Sequence, residues 1–231
     1  EKDSFKKLLS IINFQKMNFK KAWENFDGRL GLNDFGKRNS SYEAIKKKLL
    51  NGRKIYSDKK LLIIREQGVG DEILYGTIYK DLLNTYEKTF IESDQRLIPL
   101  FKNSFNKKHH GKFFKLGTFS DKPENFSSFT QVLYAGSLGY YFRNKKEDFP
   151  KKNYLKITEN QINEGKLKLN MCKKKYKIGL SWKSLNNLYA KQKSLSLTNF
   201  DSLINSHNLD FINLQYGDVS KEIINFNNNS E

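Results

Sequence analysis

The sequence is poor in cysteine, with Cys172 as the single example among 231 residues. One cysteine cannot form an intrachain disulfide, which is typical of a protein in a reducing compartment, so we expect a cytoplasmic location. The three histidines and Cys172 show no spacing that suits a metal ion, so we expect no metal site.

The sequence also has no long apolar run. None approaches the ~20 residues that a membrane-spanning helix needs. The first residues, EKDSFKKLLSIINF, are charged and lack the apolar stretch and cleavage site of a signal peptide. We therefore expect no transmembrane segment. Any contact of the chain with a membrane is expected to be peripheral. Hydrophobic residues reach only 37%, but aromatic residues reach 14%, and their large rings supply buried area for a core.

Arginine is scarce in a strongly basic chain. The formal net charge is +17, yet only 6 of the 42 basic residues are arginine. A basic surface favours nucleic acid or another anionic partner. A nucleic-acid reader is expected to prefer arginine, whose planar fork matches phosphate and guanine. The scattered lysines fit solvated faces and an AT-rich coding bias better, so we expect no specific nucleic-acid partner.

Apolar spacing predicts alternating helices and strands. Helices are expected in 5–26 (two, with a turn), 42–50, 72–84, 94–105 and 196–206, and strands at 60–66, 88–93, 113–119, 175–182 and 209–217. A glycine-containing loop is expected at 26–41, a helix that breaks at Gly136 and Gly139 at 127–143, and a polar linker followed by a helix at 143–170. This alternation predicts an α/β fold with parallel sheets in two Rossmann-like lobes. Only about sixty residues follow the second start, fewer than a whole lobe needs, so we expect an incomplete second lobe.

The first strand runs into a glycine turn and two acids, in the stretch Gln67-Gly68-Val69-Gly70-Asp71-Glu72. Ligands of open parallel sheets sit beyond the carboxyl ends of the strands. Two carboxylates there would repel a phosphate by on the order of several kcal/mol at low effective dielectric. The turn therefore predicts a site that does not hold a nucleotide. For Asp71 two interpretations stay open: a helix N-cap, or a general base aimed at a substrate hydroxyl.

Several stretches resemble one family in the same order. They are AWENFDGRL (22–30), EQGVGDEILYG (66–76), ESDQRLIPLFKNSF (92–105), YAGSLGYYFRNKKEDFPKKNYL (134–155), KIGLSWKS (177–184), KSLSL (193–197) and INLQYG (212–217). They resemble the glycosyltransferase region that follows tetratricopeptide repeats (TPR) in bacterial proteins, which is similar to the heptosyltransferase family. The resemblance covers nearly the whole chain.

The resemblance implies a GT-B-like fold. It implies a helical end of a TPR array with a linker (1–56), an acceptor lobe (57–158), and a linker helix with the start of a nucleotide-sugar lobe (159–231). The implied activity is inverting transfer of a sugar from a nucleotide-activated donor to a hydroxyl of a glycan or protein acceptor. The nucleotide-sugar is the donor substrate, and no separate cofactor is expected. Asp71 matches the family's proposed base. The residues expected beside the acceptor are Gln67, Gly68, Gly70 and Ser137.

The second lobe is expected to hold the donor. Hydroxyl and lysine side chains at a strand's carboxyl end suit a diphosphate, and the candidates are Ser181, Trp182, Lys183, Ser184, Lys191, Lys193 and Gln215. Lys193 stands where the family often has arginine. A lysine there would lose the bidentate contact that an arginine can make. Three alternative interpretations remain open. The lysines are ordinary exposed side chains, Trp182 is a buried core residue, and Ser137 only forms a turn.

The family's later nucleotide-binding segment, which contains His-Gly, has no counterpart up to residue 231. Two alternatives to an enzyme are therefore kept. One is a non-catalytic scaffold with a decayed or truncated transferase fold, and the other is a basic nucleic-acid-binding protein.

Overall fold

The computed structural model describes residues 2–31, 42–184, 192–206 and 208–229, and the rest of the predicted loop at 26–41 lies outside them. The chain divides into two compact units, Glu1–Ile157 (unit 1) and Thr158–Glu231 (unit 2). Among the described helices, none is long and apolar enough to cross a membrane.

Unit 1 contains a four-stranded sheet and a series of short helices. The strands are β1 (Leu61–Ile64), β2 (Thr89–Ser93), β3 (Phe113–Lys115) and β4 (Gln131–Tyr134). The α-helices are α1 (Lys2–Gln15), α2 (Phe19–Phe26), α3 (Tyr42–Lys48), α4 (Val69–Gly76), α5 (Tyr79–Thr85), α6 (Ile98–Ser104), α7 (Pro123–Phe126) and α8 (Gly139–Phe142). Short 3₁₀ helices lie at Asp27–Gly31, Lys107–Lys112, Ala135–Leu138 and Lys146–Asp148.

The strands of unit 1 are all parallel, in the order β3-β2-β1-β4. All four residues of β1 are buried, because helices cover both faces of the sheet. Ile63 faces a cluster with Tyr79 and Phe101, whereas Leu62 faces a cluster with Phe126 and Phe129. The expected α/β fold with a parallel sheet is therefore confirmed, and it is compatible with a Rossmann-like fold.

Two expectations within unit 1 are wrong. The first part of 127–143 is not a helix, because Gln131–Tyr134 forms β4, which pairs with β1 and is buried along its whole length. A four-residue apolar run carries no period that separates a strand from a buried helix turn. The helix expected at 72–84 is two helices, which begin earlier at Val69 and are separated at Thr77 and Ile78.

The helix pair at the start of the chain packs through aromatic rings. The rings of Phe14 and Trp23 meet edge to face with centroids 4.7 Å apart. The Trp23 indole N–H donates to the carbonyl of Arg143 at 2.6 Å, which ties α2 to the segment after α8. The expected two helices with a turn at 5–26 are confirmed.

Unit 2 has a smaller sheet. It contains α9 (Glu159–Asn170), β5 (Tyr176–Leu180), α10 (Asp201–Ile204), β6 (Leu209–Asn213), α11 (Ser220–Asn229) and a 3₁₀ turn at Leu197–Phe200. The strands β5 and β6 are parallel. The buried core of this unit is formed by Trp182, Leu197, Val219 and Phe226.

Candidate functional site

The candidate site of unit 1 lies where the strand order reverses. The chain passes from β1 to β2 on one side and reaches β4 on the other side of β1. The corners that follow β1 and β4 therefore meet at the carboxyl edge of the sheet, which is the usual ligand position in open parallel sheets. These corners carry Glu66–Asp71 and Ala135–Leu138.

A buried polar network joins the two corners. Glu66 accepts two hydrogen bonds from Arg29, Nη2 to Oε1 at 2.6 Å and Nε to Oε2 at 2.8 Å. The same carboxylate accepts from the backbone N–H of Gly136. Ser137 donates to Asp27 at 2.6 Å and accepts from Arg29 at 3.1 Å. Burial alone would lower the pKa of Arg29, but its pairing with Glu66 and Asp27 outweighs burial and raises that pKa.

Asp71 is the third residue of α4. Gly68 is the N-cap of this helix and Asp71 stands three positions later, so the N-cap interpretation of Asp71, one of the two left open, is wrong. One oxygen of the half-exposed Asp71 carboxylate accepts from the N–H of Gly68 at 3.1 Å. Within the described residues, the other oxygen has no hydrogen-bond partner. A carboxylate in the first turn is favoured by the helix dipole, and this one keeps an oxygen for a ligand.

The sequence led us to expect the carboxylates of Asp71 and Glu72 side by side at the corner. In the structure, Glu72 does not share the corner with Asp71. Its side chain is fully buried, and an oxygen lies 2.7 Å from Nε of Arg65. It also accepts from the N–H of Asp94 at the end of β2. Burial raises the pKa of Glu72, although the Asp94 N–H and Arg65 oppose that shift. The expected repulsion of a phosphate therefore depends on Asp71 alone.

The residues expected beside the acceptor differ in exposure. Gln67, Gly68 and Gly70 are exposed along the turn. Gln67 has a φ of 60°, an uncommon conformation for a residue with a side chain. Its amide oxygen lies 3.4 Å from the hydroxyl of Tyr75. Ser137 is only 5% exposed, and its hydroxyl is used in the network with Asp27 and Arg29.

Gln215 organises the corner that follows β5 in unit 2. Its amide oxygen accepts from the N–H groups of Trp182 and Lys183 at 3.0 and 2.9 Å and from the Ser181 hydroxyl at 3.2 Å. Its amide nitrogen donates to the carbonyls of Lys183 and Tyr216. Gln215 is buried, so it shapes the loop that carries the other candidates.

Lys183 is paired with a carboxylate. Its ammonium contacts Glu222 in the first turn of α11, and this pairing lowers the pKa of Glu222. The other oxygen of Glu222 accepts from the Trp182 indole N–H at 2.9 Å. Trp182 is 5% exposed within the core of unit 2, which agrees with the buried interpretation.

Of the other donor candidates, Ser181 and Lys193 are exposed and Ser184 is half-buried. The backbone N–H of Ser184 donates a hydrogen bond to the Ser194 hydroxyl at 2.9 Å. Lys191 lies outside the described residues. In the part of the chain that the structure describes, no group of three or more His, Cys, Asp or Glu side chains is placed to hold a metal ion.

Sequence reasoning missed the polar partners of the site. Asp27, Arg29 and Glu66 stood inside motifs that carry the family resemblance, but nothing local showed that they meet. Glu222 lies outside those motifs, and only its place in the first turn of a helix would have marked it.

Comparison with known proteins adds one relative. Protein FlbA of Caulobacter vibrioides is 28% identical over 179 residues, which cover 71% of this chain and 30% of that protein. The chain thus spans less than a third of the length of this curated relative. No protein-family model matches the chain, and no solved structure matches it.

Proposed function

We propose that this chain is part of an inverting, heptosyltransferase-like glycosyltransferase with a GT-B-like fold. Unit 1 handles the hydroxyl acceptor, a glycan or protein, and unit 2 handles the nucleotide-sugar donor. The helix pair α1 and α2 is proposed as the end of a TPR array. The observation that carries this proposal is the half-exposed Asp71 carboxylate at the switch point of a parallel sheet.

In the proposed reaction, Asp71 removes the proton from the acceptor hydroxyl. The acceptor oxygen then forms a bond to the anomeric carbon of the sugar. The bond from that carbon to the nucleotide diphosphate breaks, and the diphosphate leaves with the electron pair. Lysines of unit 2 stabilise its charge, so the reaction needs no metal ion.

The buried network has a defined part in this proposal. Arg29 holds Glu66, and Glu66 holds the Gly136 N–H. The corner that carries Asp71 is therefore fixed to the corner after β4 by groups that do not touch substrate. Arg29 and Glu66 are positioning residues, and Ser137 acts with them through its hydroxyl.

A non-catalytic scaffold is the second candidate, and one observation favours it. The Lys183 ammonium is already neutralised by Glu222, and the hydrogen-bonding groups of Gln215 are taken up by the loop. A phosphate would have to compete with both arrangements. FlbA supports neither candidate, because its name states no activity.

The test uses the natural full-length protein that contains this chain. A panel of UDP-, GDP- and ADP-sugars is assayed for transfer and, by calorimetry, for binding. Asp71→Asn should lower transfer by about 10²- to 10⁴-fold with unchanged donor affinity, because a general base is lost. Asp58→Asn, at a side chain that is 65% exposed, is the matched control and should leave transfer unchanged.

Transfer at the wild-type rate by correctly folded Asp71→Asn protein would remove the base assignment. Absence of binding to every donor in the panel would favour the scaffold.

A further inference from the structure

A cavity in unit 1 lies away from Asp71. It has a volume of about 910 Å³ and is walled by α5, the turn after α6, and residues from Arg143 to Lys156. The helix α5 leads to the amino end of β2, and the turn after α6 leads to the amino end of β3. None of the candidate site residues lines this cavity. Its size falls within the range of small-molecule sites.

The wall of the cavity is basic. The cationic side chains are Lys80, Lys108, Arg143, Lys151, Lys152 and Lys156. None of the five lysines forms an ion pair with a carboxylate in the described part of the chain. The wall also contains three acids, Asp81, Glu147 and Asp148. Asp81 pairs with Arg143 at 2.8 Å, and Asp148 accepts from two backbone N–H groups. The lysine charges are therefore available to an anionic ligand.

Arg143 is the buried polar group of this wall. Its side chain is 4% exposed, and its Nη atoms bond Asp81 and the carbonyls of Phe142 and Thr77. Its Nε is buried and has no hydrogen-bond partner among the described residues. Arg143 is nonetheless held in a fixed position in the wall by Asp81 and by two backbone carbonyls.

The wall is also held in place on one side. The Tyr154 hydroxyl donates to the carbonyl of Ile73 at 2.6 Å. The N–H of Lys156 donates to the Ser104 hydroxyl at 2.9 Å, and Asn103 donates to the carbonyl of Lys156. The rings of Tyr154 and Phe105 lie 5.7 Å apart in the same wall. Apolar ring surface beside lysines suits a ligand with an organic body as well as charge.

We infer that this cavity binds a small organic molecule carrying two phosphate groups. The lysines would bind the phosphate oxygens as point charges. Phe105 and Tyr154 would contact the organic body. The site is separate from the proposed transfer reaction and does not depend on it.

The test is calorimetry on the full-length protein at low ionic strength. Fructose 1,6-bisphosphate is the probe, with fructose and inorganic phosphate as comparisons. Lys80→Gln with Lys151→Gln removes two cavity charges from exposed positions, and Lys46→Gln with Lys47→Gln removes two charges from exposed positions on α3. The cavity pair should weaken bisphosphate binding by about tenfold, and the α3 pair by less than about twofold.

Lys183→Gln tests whether the probe binds in unit 2 instead, and it should leave the affinity unchanged. The inference is overturned if the unaltered protein does not bind the bisphosphate, or if inorganic phosphate binds as tightly. It is also overturned if the α3 pair or Lys183→Gln causes the same loss as the cavity pair.

Discussion

Arg29 and Glu66 stand 37 positions apart in the sequence and form a buried bidentate ion pair in unit 1. The Arg29 side chain is 6% exposed and the Glu66 side chain is fully buried. The pair joins the end of the α1–α2 segment to the corner after β1. Through the Gly136 N–H, the same carboxylate reaches the corner after β4. The helical segment is therefore part of the support of the candidate site.

Arg29→Met should destabilise the protein by about 3 to 5 kcal/mol, because it leaves the charge of Glu66 buried and uncompensated. Urea unfolding followed by circular dichroism measures this free energy. Arg96→Met is the control, since Arg96 is 71% exposed in its own ion pair, and solvent screening makes the loss of an exposed pair smaller than that of a buried one. Replacing Glu66 by Leu as well should recover part of the loss. Equal losses for Arg29→Met and Arg96→Met would contradict a structural role of the buried pair.

Two glycines of the site offer a matched comparison. A Cβ atom at Gly136 would lie 2.5 Å from Glu66 Oε1 and 2.9 Å from Arg29 Nη2, whereas a Cβ at Gly70 meets nothing within 4 Å. Gly136→Ala should therefore lower stability by about 1 to 3 kcal/mol. Gly70→Ala should leave the free energy of unfolding unchanged or raise it slightly, because alanine favours the helix.

Thermal unfolding measures the stability of both glycine variants. The transfer assay then shows whether a variant loses activity because its packing is disturbed or because the glycine itself is needed for transfer. If the backbone at Gly70 approaches the acceptor, Gly70→Ala loses transfer while it keeps its stability. A Gly136→Ala protein as stable as the wild type would show that the network tolerates a shift there.

The sequence predicted the sheet strands that have a buried apolar run bounded by turn residues, such as β1 and β2. It did not predict β4, because four apolar residues identify a strand only through their pairing with β1. The split between α4 and α5 was missed for a similar reason. Gly76 directly precedes Thr77, but a single glycine inside a helical pattern is tolerated, so it did not by itself predict the separation.

For the site, the sequence placed Asp71 at a corner after a strand, because that position depends on local order along the chain. The contacts of Ser137 with Arg29 and Asp27 span 108 and 110 positions. A local sequence pattern cannot predict contacts between residues that are so far apart in the sequence. Burial of Glu72 was missed because two adjacent acids look alike in the sequence, although a helix points them in different directions.

Asp94 should make stability depend on acid pH. Its carboxylate accepts from Arg96 at 2.9 and 2.8 Å and lies 3.3 Å from Arg65. Hydrogen bonds from Arg96 hold the pKa of Asp94 well below its usual range. A depressed folded-state pKa adds stability above the unfolded pKa of about 3.9, and that stability is lost as the pH falls. Asp94→Asn should cost about 1 to 2 kcal/mol at pH 7, and the difference from wild type should shrink below about pH 4.

Glu72→Gln serves as the comparison of opposite sign in the same urea series. Burial raises the pKa of Glu72, so its protonated form is favoured by the folded state. The stability of the wild type relative to Glu72→Gln should therefore grow as the pH falls through the raised pKa toward the unfolded value of about 4.3. A difference for Asp94→Asn that stays constant from pH 7 to pH 3 would rule out the assigned pairing with Arg96.

Glu222 should control how well unit 2 binds a diphosphate. It pairs with Lys183 and also accepts from the Trp182 indole, and both side chains of the ion pair are about one-third exposed or less, at 30% and 28%. Glu222→Gln keeps an oxygen for Trp182 but releases the Lys183 ammonium from its counter-charge. A partly exposed pair of about 1 kcal/mol corresponds to about fivefold in affinity, so UDP or GDP should bind about fivefold more tightly to the full-length variant. Calorimetry measures this change, and Glu164→Gln on the exposed α9 helix is the control that removes the same charge elsewhere. Unchanged or weaker binding by Glu222→Gln, with normal folding, would exclude Lys183 as a phosphate ligand and would favour the scaffold over the transferase.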